Sequence, residues 1–365
     1  VKLFPSRSYI VKEPLGNNLI ISPWNYPVQL LLNPLVGAIS AGCTAVLKPS
    51  PYVPKVSETI EKMISETFDE NYIAVVQGHR DVNMALLEQR WDLIFFTGSP
   101  ALAKTVMTSA AKNLTPVILE LGGKSPCIID KTADIKTAAK RIAWGKTLNS
   151  GQTCIAPDYI LIHKDIKEAF VRAFAEEMKI LHGEDIKTDR HYVRIVNDKA
   201  FERVTGYFKD GNIIYGGRTD AATRFIEPTL IENVPLDSPL MTEEIFGPIF
   251  PVIEIEDNFK ESVIDFVNSR EKPLAFYYFG KESDGWEIVR RTSSGGGCIN
   301  DVIMHIANEN VPFGGVGNSG MGRYHDKDSF EAFSHTRSII ATGTWLDLPF
   351  RYMPYKMFSL VKKIL

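Results

Sequence analysis

Cysteine is scarce in this sequence, and its four copies are widely spaced, at Cys43, Cys127, Cys154 and Cys298. No two of them form a C-x-x-C pair, so the spacing offers no zinc-ligand set, and the low number fits a reducing cytosol. We therefore predict a cytoplasmic protein without a bound metal.

A dominant sign of charge and a long apolar run are also missing. The chain has 41 basic and 44 acidic residues, a net charge of −3, and the basic residues are scattered. This balance excludes the electric field that attracts nucleic acid or acidic membranes. No apolar run reaches the ~18 residues of a membrane span, and no signal peptide is visible. The sequence starts at Val1 shortly before an extended segment, Tyr9–Val11, so we expect the remainder of a longer protein.

The sequence does contain a regular alternation of strand-like and helix-like runs. Its 365 residues, 44% hydrophobic and 23% charged, predict a globular protein of about two domains. Strands and helices alternate from Leu19 to Asp130 and, less regularly, from Ile135 onward. This order predicts an α/β fold with a doubly wound parallel sheet. We place a domain boundary near Leu121–Ser125, where two glycines interrupt a strand-like run.

One cysteine, Cys154, lies in a small, polar, flexible stretch. The stretch Asn149–Cys154 joins the helix-like run Ile135–Leu148 to the strand-like run Tyr159–His163. Loops on rigid elements often carry reactive groups, and a nucleophilic thiol needs a setting that favours its thiolate. Free cysteine is also among the most buried residue types, so this motif alone fits either catalysis or packing.

Polar residues end several predicted strands, where ligands bind in parallel sheets. Gly98 and Ser99 follow a strand and open a helix, which suits a phosphate but also fits a plain strand-to-helix turn. Lys48 could reach a ribose or a phosphate, or it could be a solvated charge. Glu120 ends an apolar strand, so it is either a buried base with a raised pKa or a carboxylate that faces solvent.

An asparagine in a rigid setting is a further candidate. Asn25 lies between two aromatic residues and two prolines in Ser22–Pro27. This setting suits the amide of an oxyanion hole, although Asn25 could instead cap the next helix. Three later stretches are also distinctive: the Glu-Glu-Ile-Phe-Gly-Pro motif at Glu243–Pro248, and the glycine-rich stretches Gly295–Asp301 and Pro312–Gly322. Glycine at this density permits close backbone approach.

Taken in order, these motifs closely resemble the NAD(P)-dependent aldehyde dehydrogenases, in particular their class 3 branch for fatty and aromatic aldehydes. The matching stretches run from about Glu13 to Arg337. Class 3 character comes from Ala156–Tyr159 and Gly317–Gly322. The other matching motifs are Pro23–Pro27, Lys48–Ser50, Leu119–Lys124, Gly151–Cys154 and Glu243–Pro248.

The resemblance implies a role for each candidate in catalysis. Cys154 would be the nucleophile and Glu120 the base, while the Asn25 amide and the Cys154 backbone N–H would bind the oxyanion. Thiolate attack on an aldehyde, hydride transfer and hydrolysis of the resulting thioester would give a carboxylic acid. The expected substrates are medium- or long-chain aliphatic or aromatic aldehydes, entering past Trp24, Tyr26 and Ile299.

The resemblance also implies NAD or NADP as cofactor and a set of residues that bind it. Gly98 and Ser99 would lie at the pyrophosphate and Lys48 at the adenosine ribose. Glu244 would hold the nicotinamide ribose, with Phe246 packed nearby.

The same resemblance implies an aldehyde dehydrogenase-like domain plan. A Rossmann-type cofactor domain, incomplete at its N-terminus, would span 1–121, the catalytic domain 122–332, and an oligomerisation segment 333–365. We expect Ser338–Ala341 to be a strand that pairs across a homodimer. The end, Tyr355–Leu365, favours packing on the dimer over docking on a membrane surface, and it is too short to span ~30 Å.

Two residues depart from the family pattern, and two other functions stay open. Ala103 stands where relatives have a second glycine in the pyrophosphate turn, and Pro51 replaces the glutamate that follows Lys-Pro-Ser. The alternatives are reductive acyl-CoA or acyl-phosphate chemistry, for which Glu120 would be counterproductive, and a non-catalytic subunit that serves assembly.

Overall fold

The structure is a computed structural model that describes residues 5–256, 258–347, 351–354 and 362. It divides into two units: one spans Leu15–Phe333, and the other consists of the described residues before and after it. The strands are β1 (Arg7–Pro14), β2 (Asn17–Ile21), β3 (Thr44–Lys48), β4 (Ile73–Val75), β5 (Leu93–Thr97), β6 (Val117–Glu120), β7 (Pro126–Ile129), β8 (Tyr159–His163), β9 (Asn212–Tyr215), β10 (Thr219–Asp220), β11 (Phe225–Ile226), β12 (Thr229–Glu232), β13 (Ile249–Ile255), β14 (Ala275–Phe279), β15 (Gly296–Ile299), β16 (Gly320–Met321) and β17 (Ser334–Ala341).

The helices follow most of the predicted runs to within a few residues. They are α1 (Gln29–Ala41), α2 (Pro54–Thr67), α3 (Arg80–Leu87), α4 (Pro100–Ala111), α5 (Ile135–Thr147), α6 (Lys167–His182), α7 (Asp198–Gly206), α8 (Pro239–Thr242), α9 (Phe259–Asn268), α10 (Glu282–Arg291) and α11 (Asp326–Ala332).

The first sheet of the larger unit has the strand order β16-β6-β5-β2-β3-β4. Its strands from β6 to β4 are parallel, and β16 pairs with β6 in the antiparallel direction. Successive residues of one strand enter different apolar clusters: Phe95 packs in one, and Ile94 and Phe96 pack in the other. Because both faces are covered, these strands are continuous apolar runs.

The second sheet has the order β15-β14-β7-β8-β13-β12-β9. The chain passes from the first sheet to the second between Glu120 and Pro126, where the sequence predicts a boundary. Gly320–Met321, within the predicted catalytic domain, returns to pair with the first sheet, because the glycines around it allow close backbone contact. The predicted domain limits stay a prediction.

The smaller unit contains an antiparallel pair of strands. β1 pairs with β17 from Arg7 opposite Ala341 to Pro14 opposite Ser334, and most residues of both strands are exposed. The predicted strand Ser338–Ala341 is therefore confirmed, while its pairing across subunits stays a prediction. The segment predicted to pack on the dimer, Tyr355–Leu365, lies outside the described residues except for Lys362. Within the described ranges, no helix is long and apolar enough to cross a membrane.

Candidate active site

A cavity of about 310 Å³ lies in the larger unit, at the carboxyl ends of strands in the first sheet. It brings together seven of the eight predicted site residues: Asn25, Gly98, Ser99, Glu120, Cys154, Glu244 and Phe246. Lys48 does not line it. The Lys48 side chain is buried at the end of β3, and its Nζ donates to the Pro49 carbonyl at 2.8 Å. The interpretation of Lys48 as a solvated charge is therefore wrong, and its contact with a cofactor stays a prediction.

The loop that carries Cys154 has an unusual backbone. After α5 ends, Asn149, Ser150 and Gly151 all have positive φ, at 50°, 53° and 72°. A Cβ on Gly151 would lie 2.4 Å from the carbonyl oxygen of Gly247, so only glycine fits this position. The loop is thereby held close to the segment that contains Phe246.

Side-chain hydrogen bonds fix the residues just before Cys154. Gln152 is buried; its Nε2 donates to the carbonyls of Asn149 at 3.0 Å and Arg194 at 3.2 Å, and its Oε1 accepts the Val196 N–H at 3.0 Å. A buried amide with both ends satisfied holds one geometry, because breaking either bond leaves an unpaired polar group. The position of Cys154 is therefore largely set by its neighbours.

Asn25 is bound to the same loop. Its Nδ2 donates to the Gln152 carbonyl at 3.0 Å, and its own carbonyl accepts the Asn149 amide at 3.0 Å. The next helix begins at Gln29, and its N-cap residue, Val28, makes no side-chain cap hydrogen bond. The capping role considered for Asn25 is therefore wrong. Because a side-chain amide has two N–H groups, one remains for a ligand in the cavity.

Ionisation of the Cys154 thiol is strongly disfavoured. Burial, with a smaller contribution from the carboxyl groups of Glu244 and Glu120, raises the pKa of Cys154 to about 12, although the backbone N–H groups of Cys154 and Ile155 act in the opposite direction. At neutral pH the sulfur is a protonated thiol. Nucleophilic attack by Cys154 therefore requires that the thiol lose its proton as the S–C bond forms.

Glu120 is suited to proton transfer. It is the last residue of β6, 3% exposed, and neither carboxylate oxygen has a hydrogen-bond partner. Burial raises the pKa of Glu120 well above its ordinary value, because a charge without partners is disfavoured in an apolar setting. The solvent-facing interpretation of Glu120 is wrong, and its free oxygens are available to a proton donor in the cavity.

Glu244 and Phe246 line the same cavity. A Cβ on Gly122 would lie 2.1 Å from the Glu244 carboxylate, so the glycine makes room for this side chain. Burial, with a smaller contribution from the Asp158 carboxylate, raises the pKa of Glu244 to about 8, although the Gly123 N–H acts in the opposite direction. Phe246 has a φ of 48°, and its ring packs edge-on against Trp24 with centroids 5.6 Å apart.

The cavity contains two further polar residues that the sequence did not indicate. Thr97 has a buried hydroxyl without a partner. Arg203 of α7 donates to the carbonyls of Glu244 at 3.1 Å and Ile245 at 2.8 Å. Thr97 directly precedes the predicted Gly98–Ser99 turn, which is the sequence signal that could have identified it, and the only sequence signal for Arg203 is its charge.

These residues fit a phosphate-containing cofactor. The Gly98–Ser99 turn opens α4, and the Ser99 hydroxyl accepts the Leu102 N–H at 3.4 Å. The positive end of the helix and the unpaired Thr97 hydroxyl favour an anion at this turn, and the Arg203 cation elsewhere in the lining adds positive charge to the cavity.

Ile299, predicted beside the aldehyde path, does not line this cavity. It lines a separate cavity of about 830 Å³ with Cys298 and residues of α10. The reason is the sheet order: β15, which contains Ile299, is at the end of the second sheet. Of the predicted path, Trp24 lines the Cys154 cavity, while Tyr26 bonds instead to the Thr153 hydroxyl at 2.7 Å.

Comparison with known proteins is consistent across sequence and structure. Residues 4–339 match the sequence model described as "Aldehyde dehydrogenase family". The 4,4'-diaponeurosporen-aldehyde dehydrogenase of Staphylococcus aureus is 47% identical over 97% of this chain and 77% of its own length. The dimeric NADP-preferring aldehyde dehydrogenase of Rattus norvegicus is 48% identical over 91% of this chain and 73% of its own. A structure titled "Substrate bound state of Staphylococcus Aureus AldH" has a TM-score of 0.96 at 46% identity, covering 99% of this chain and 80% of that one.

Proposed function

Since this chain belongs to the aldehyde dehydrogenase family and is an enzyme that oxidises aldehydes, we propose that its reaction proceeds through a covalent intermediate on Cys154. The observation that carries the proposal is the common cavity of Cys154, Glu120 and Asn25, with an unpaired carboxyl group at Glu120 and a loop fixed around the nucleophile.

Activation of the thiol is the first step. With its pKa raised to about 12, Cys154 gives up its proton only as the sulfur attacks the aldehyde carbon. A water molecule in the cavity receives that proton, so this step does not require Glu120, whose unpaired oxygens act in the later hydrolysis. The new S–C bond turns the carbonyl oxygen into an oxyanion.

The oxyanion is stabilised by donors that are already in place. The second N–H of the Asn25 amide and the Cys154 backbone N–H bind it, and the bond from Asn25 to Gln152 keeps the amide oriented before substrate arrives. Prepositioned donors of this kind stabilise the transition state without reorganisation.

NAD or NADP would supply the hydride acceptor for the substrate carbon. Gly98, Ser99 and Arg203 would bind its phosphates, Glu244 its nicotinamide ribose and Lys48 its adenosine ribose. Phe246 and Trp24, in edge contact, limit water on this side of the cavity.

Hydrolysis of the thioester completes the reaction. Glu120 deprotonates a water molecule, which attacks the acyl carbon and releases a carboxylic acid and the Cys154 thiol. A base positioned for water argues against acyl-CoA or acyl-phosphate chemistry, in which the thioester must survive.

The substrate is a medium- or long-chain aliphatic or aromatic aldehyde. Apolar side chains of Trp24, Leu30, Leu121 and Phe246 line the cavity and favour an apolar chain or ring over a polar one. A panel of aldehydes of increasing chain length tests this class, and kcat/KM should rise with length.

One assay separates the three functions considered for this fold. The full chain with aldehyde and NAD or NADP, without CoA, should release one reduced cofactor per carboxylic acid formed. A requirement for CoA or phosphate would support the reductive chemistry, and no turnover with any aldehyde of the panel would support an assembly role.

The chain also forms a homodimer in this proposal. The exposed strands β1 and β17 provide backbone edges that a second copy can extend, and the rat relative is named as dimeric.

A further inference from the structure

Asp158 lies four residues after Cys154 and is buried, with 3% of its surface exposed. Both of its carboxylate oxygens are occupied: Oδ1 pairs with the Lys124 ammonium, and Oδ2 accepts the Ile245 N–H at 2.9 Å. Its own N–H donates to the Ser125 carbonyl at 2.8 Å. A buried carboxylate with this set of partners is fixed in position.

Lys124 extends the same hydrogen-bond network to Glu243, the residue before Glu244. Its Nζ donates to the carbonyls of Leu240 at 2.8 Å and Glu243 at 2.9 Å, and its side chain is 11% exposed. The Glu243 carbonyl and the Ile245 N–H, which bracket Glu244, are thus both bound to one buried ion pair.

We propose that Asp158 is a positioning residue that, with Lys124, holds the backbone around Glu244 and so links the strand after the nucleophile to the cofactor-binding segment. The proposal rests on the proposed function, in which Glu244 and Phe246 face the cofactor. Asp158 does not line the cavity and acts through these two residues.

The segment needs such an anchor. Phe246 has a positive φ of 48°, a conformation that a bulky residue adopts only where its surroundings enforce it. Arg203 holds the carbonyls of Glu244 and Ile245, but the described contacts give the Ile245 N–H only the Asp158 carboxylate as partner. Loss of that acceptor would leave a buried donor unpaired and the strained turn less constrained.

Asp158→Asn tests this role with little change of volume. An amide has one acceptor oxygen where the carboxylate has two, so either Lys124 or the Ile245 N–H loses its partner. We expect Ile245 amide hydrogen exchange, measured without cofactor, to accelerate roughly tenfold or more. The Kd for NADPH, from fluorescence titration, should rise about tenfold while the KM for aldehyde stays within about twofold.

Glu232→Gln is the matched control. It breaks the Lys167–Glu232 ion pair, whose side chains are 12% and 23% exposed and whose atoms lie 2.7 Å apart, away from the cavity. This variant should leave Ile245 exchange and the NADPH Kd unchanged. Equal effects of the two substitutions would show general destabilisation and overturn the positioning role.

If Asp158→Asn does not fold, hydrogen exchange of the Ile245 amide in the wild-type protein still tests the proposal. The Ile245 amide should exchange slowly in the wild type, and exchange as fast as that of an exposed loop amide would overturn the proposal. An unchanged NADPH Kd in a folded Asp158→Asn protein would overturn it too. Because exchange and NADPH binding do not depend on turnover, they are separate from the aldehyde assay that tests the proposed function.

Discussion

The side-chain amide of Asn25 donates to the carbonyl oxygen of Gln152 at a distance of 3.0 Å, two residues before Cys154. One asparagine therefore orders the loop that carries Cys154 and keeps a second amide N–H, which binds the oxyanion in the proposed function. The two uses are separable by experiment, because Tyr26 ties the same loop through the Thr153 hydroxyl at 2.7 Å without contributing an amide.

Asn25→Ala should lower kcat by about 10²–10³, the usual effect of removing one oxyanion donor. Tyr26→Phe removes the neighbouring tie to Thr153 and should lower kcat far less. Steady-state kinetics of both variants, with Tm as a check on folding, make the comparison. Equal losses would indicate that loop order, rather than the oxyanion contact, explains the effect of Asn25.

Glu244 should make the cofactor-free enzyme less stable as pH rises through the neutral range. Its folded pKa of about 8 lies above its ordinary value of 4.5. Between these values the folded state binds more protons than the unfolded state, so the free energy of unfolding falls with rising pH, by at most about 1.4 kcal/mol per pH unit.

Glu244→Gln should remove the part of the pH dependence of the unfolding free energy that is due to Glu244. Denaturant unfolding of both proteins at about pH 5 and about pH 7 tests it, because groups whose pKa does not depend on Glu244, such as His305, cancel in the difference. The gap in stability between variant and wild type should widen in favour of the variant at the higher pH. A gap that stays constant would mean that Glu244 ionises freely in the fold.

Pro51 should permit NADP as well as NAD. A glutamate at this position would accept hydrogen bonds from the adenosine ribose and repel a 2′-phosphate, whereas proline does neither and Lys48 remains as a cation. We expect kcat/KM for NADP within about tenfold of that for NAD, or about 1.4 kcal/mol. Pro51→Glu should shift the preference towards NAD, and strict NAD dependence that this substitution leaves unchanged would contradict the role of Pro51.

Removal of the residues after Thr344 should weaken dimer formation and leave liposome binding unaltered. Sedimentation of the full and shortened chains, with and without liposomes, measures both properties. A lower mass for the shortened chain supports packing of the C-terminal segment on the dimer, and loss of liposome binding supports a membrane role instead. No change in either property would refute both interpretations.

The sequence predicts residues that lie in family motifs and misses those whose role depends on tertiary contact. Immediate neighbours leave Glu120 and Cys154 open between two interpretations, and the ordered motifs of the resemblance favour catalysis; the predicted family and enzyme class are confirmed. Arg203 acts on the Glu244 carbonyl 41 residues away, a distance that no local pattern reveals.

Burial and sheet order account for the differences at Lys48 and Ile299. Lys48 is enclosed because the residues around it pack on both faces of the first sheet, and Ile299 lies on the end strand of the second sheet. Neither outcome follows from neighbouring residues alone. The cytoplasmic location and the homodimer stay predictions.

The covalent intermediate on Cys154 is tested most directly by trapping it in Glu120→Gln. Without the base for hydrolysis, this variant should form the thioester, give a burst of NADH or NADPH equal to the enzyme present, and then stall. Mass spectrometry of its peptides should find an acyl group on Cys154, a mass increase equal to the aldehyde less two hydrogens, and Cys154→Ala should give neither burst nor adduct. Full steady turnover of Glu120→Gln, or an acyl group on another residue such as Cys298, would contradict catalysis by this pair.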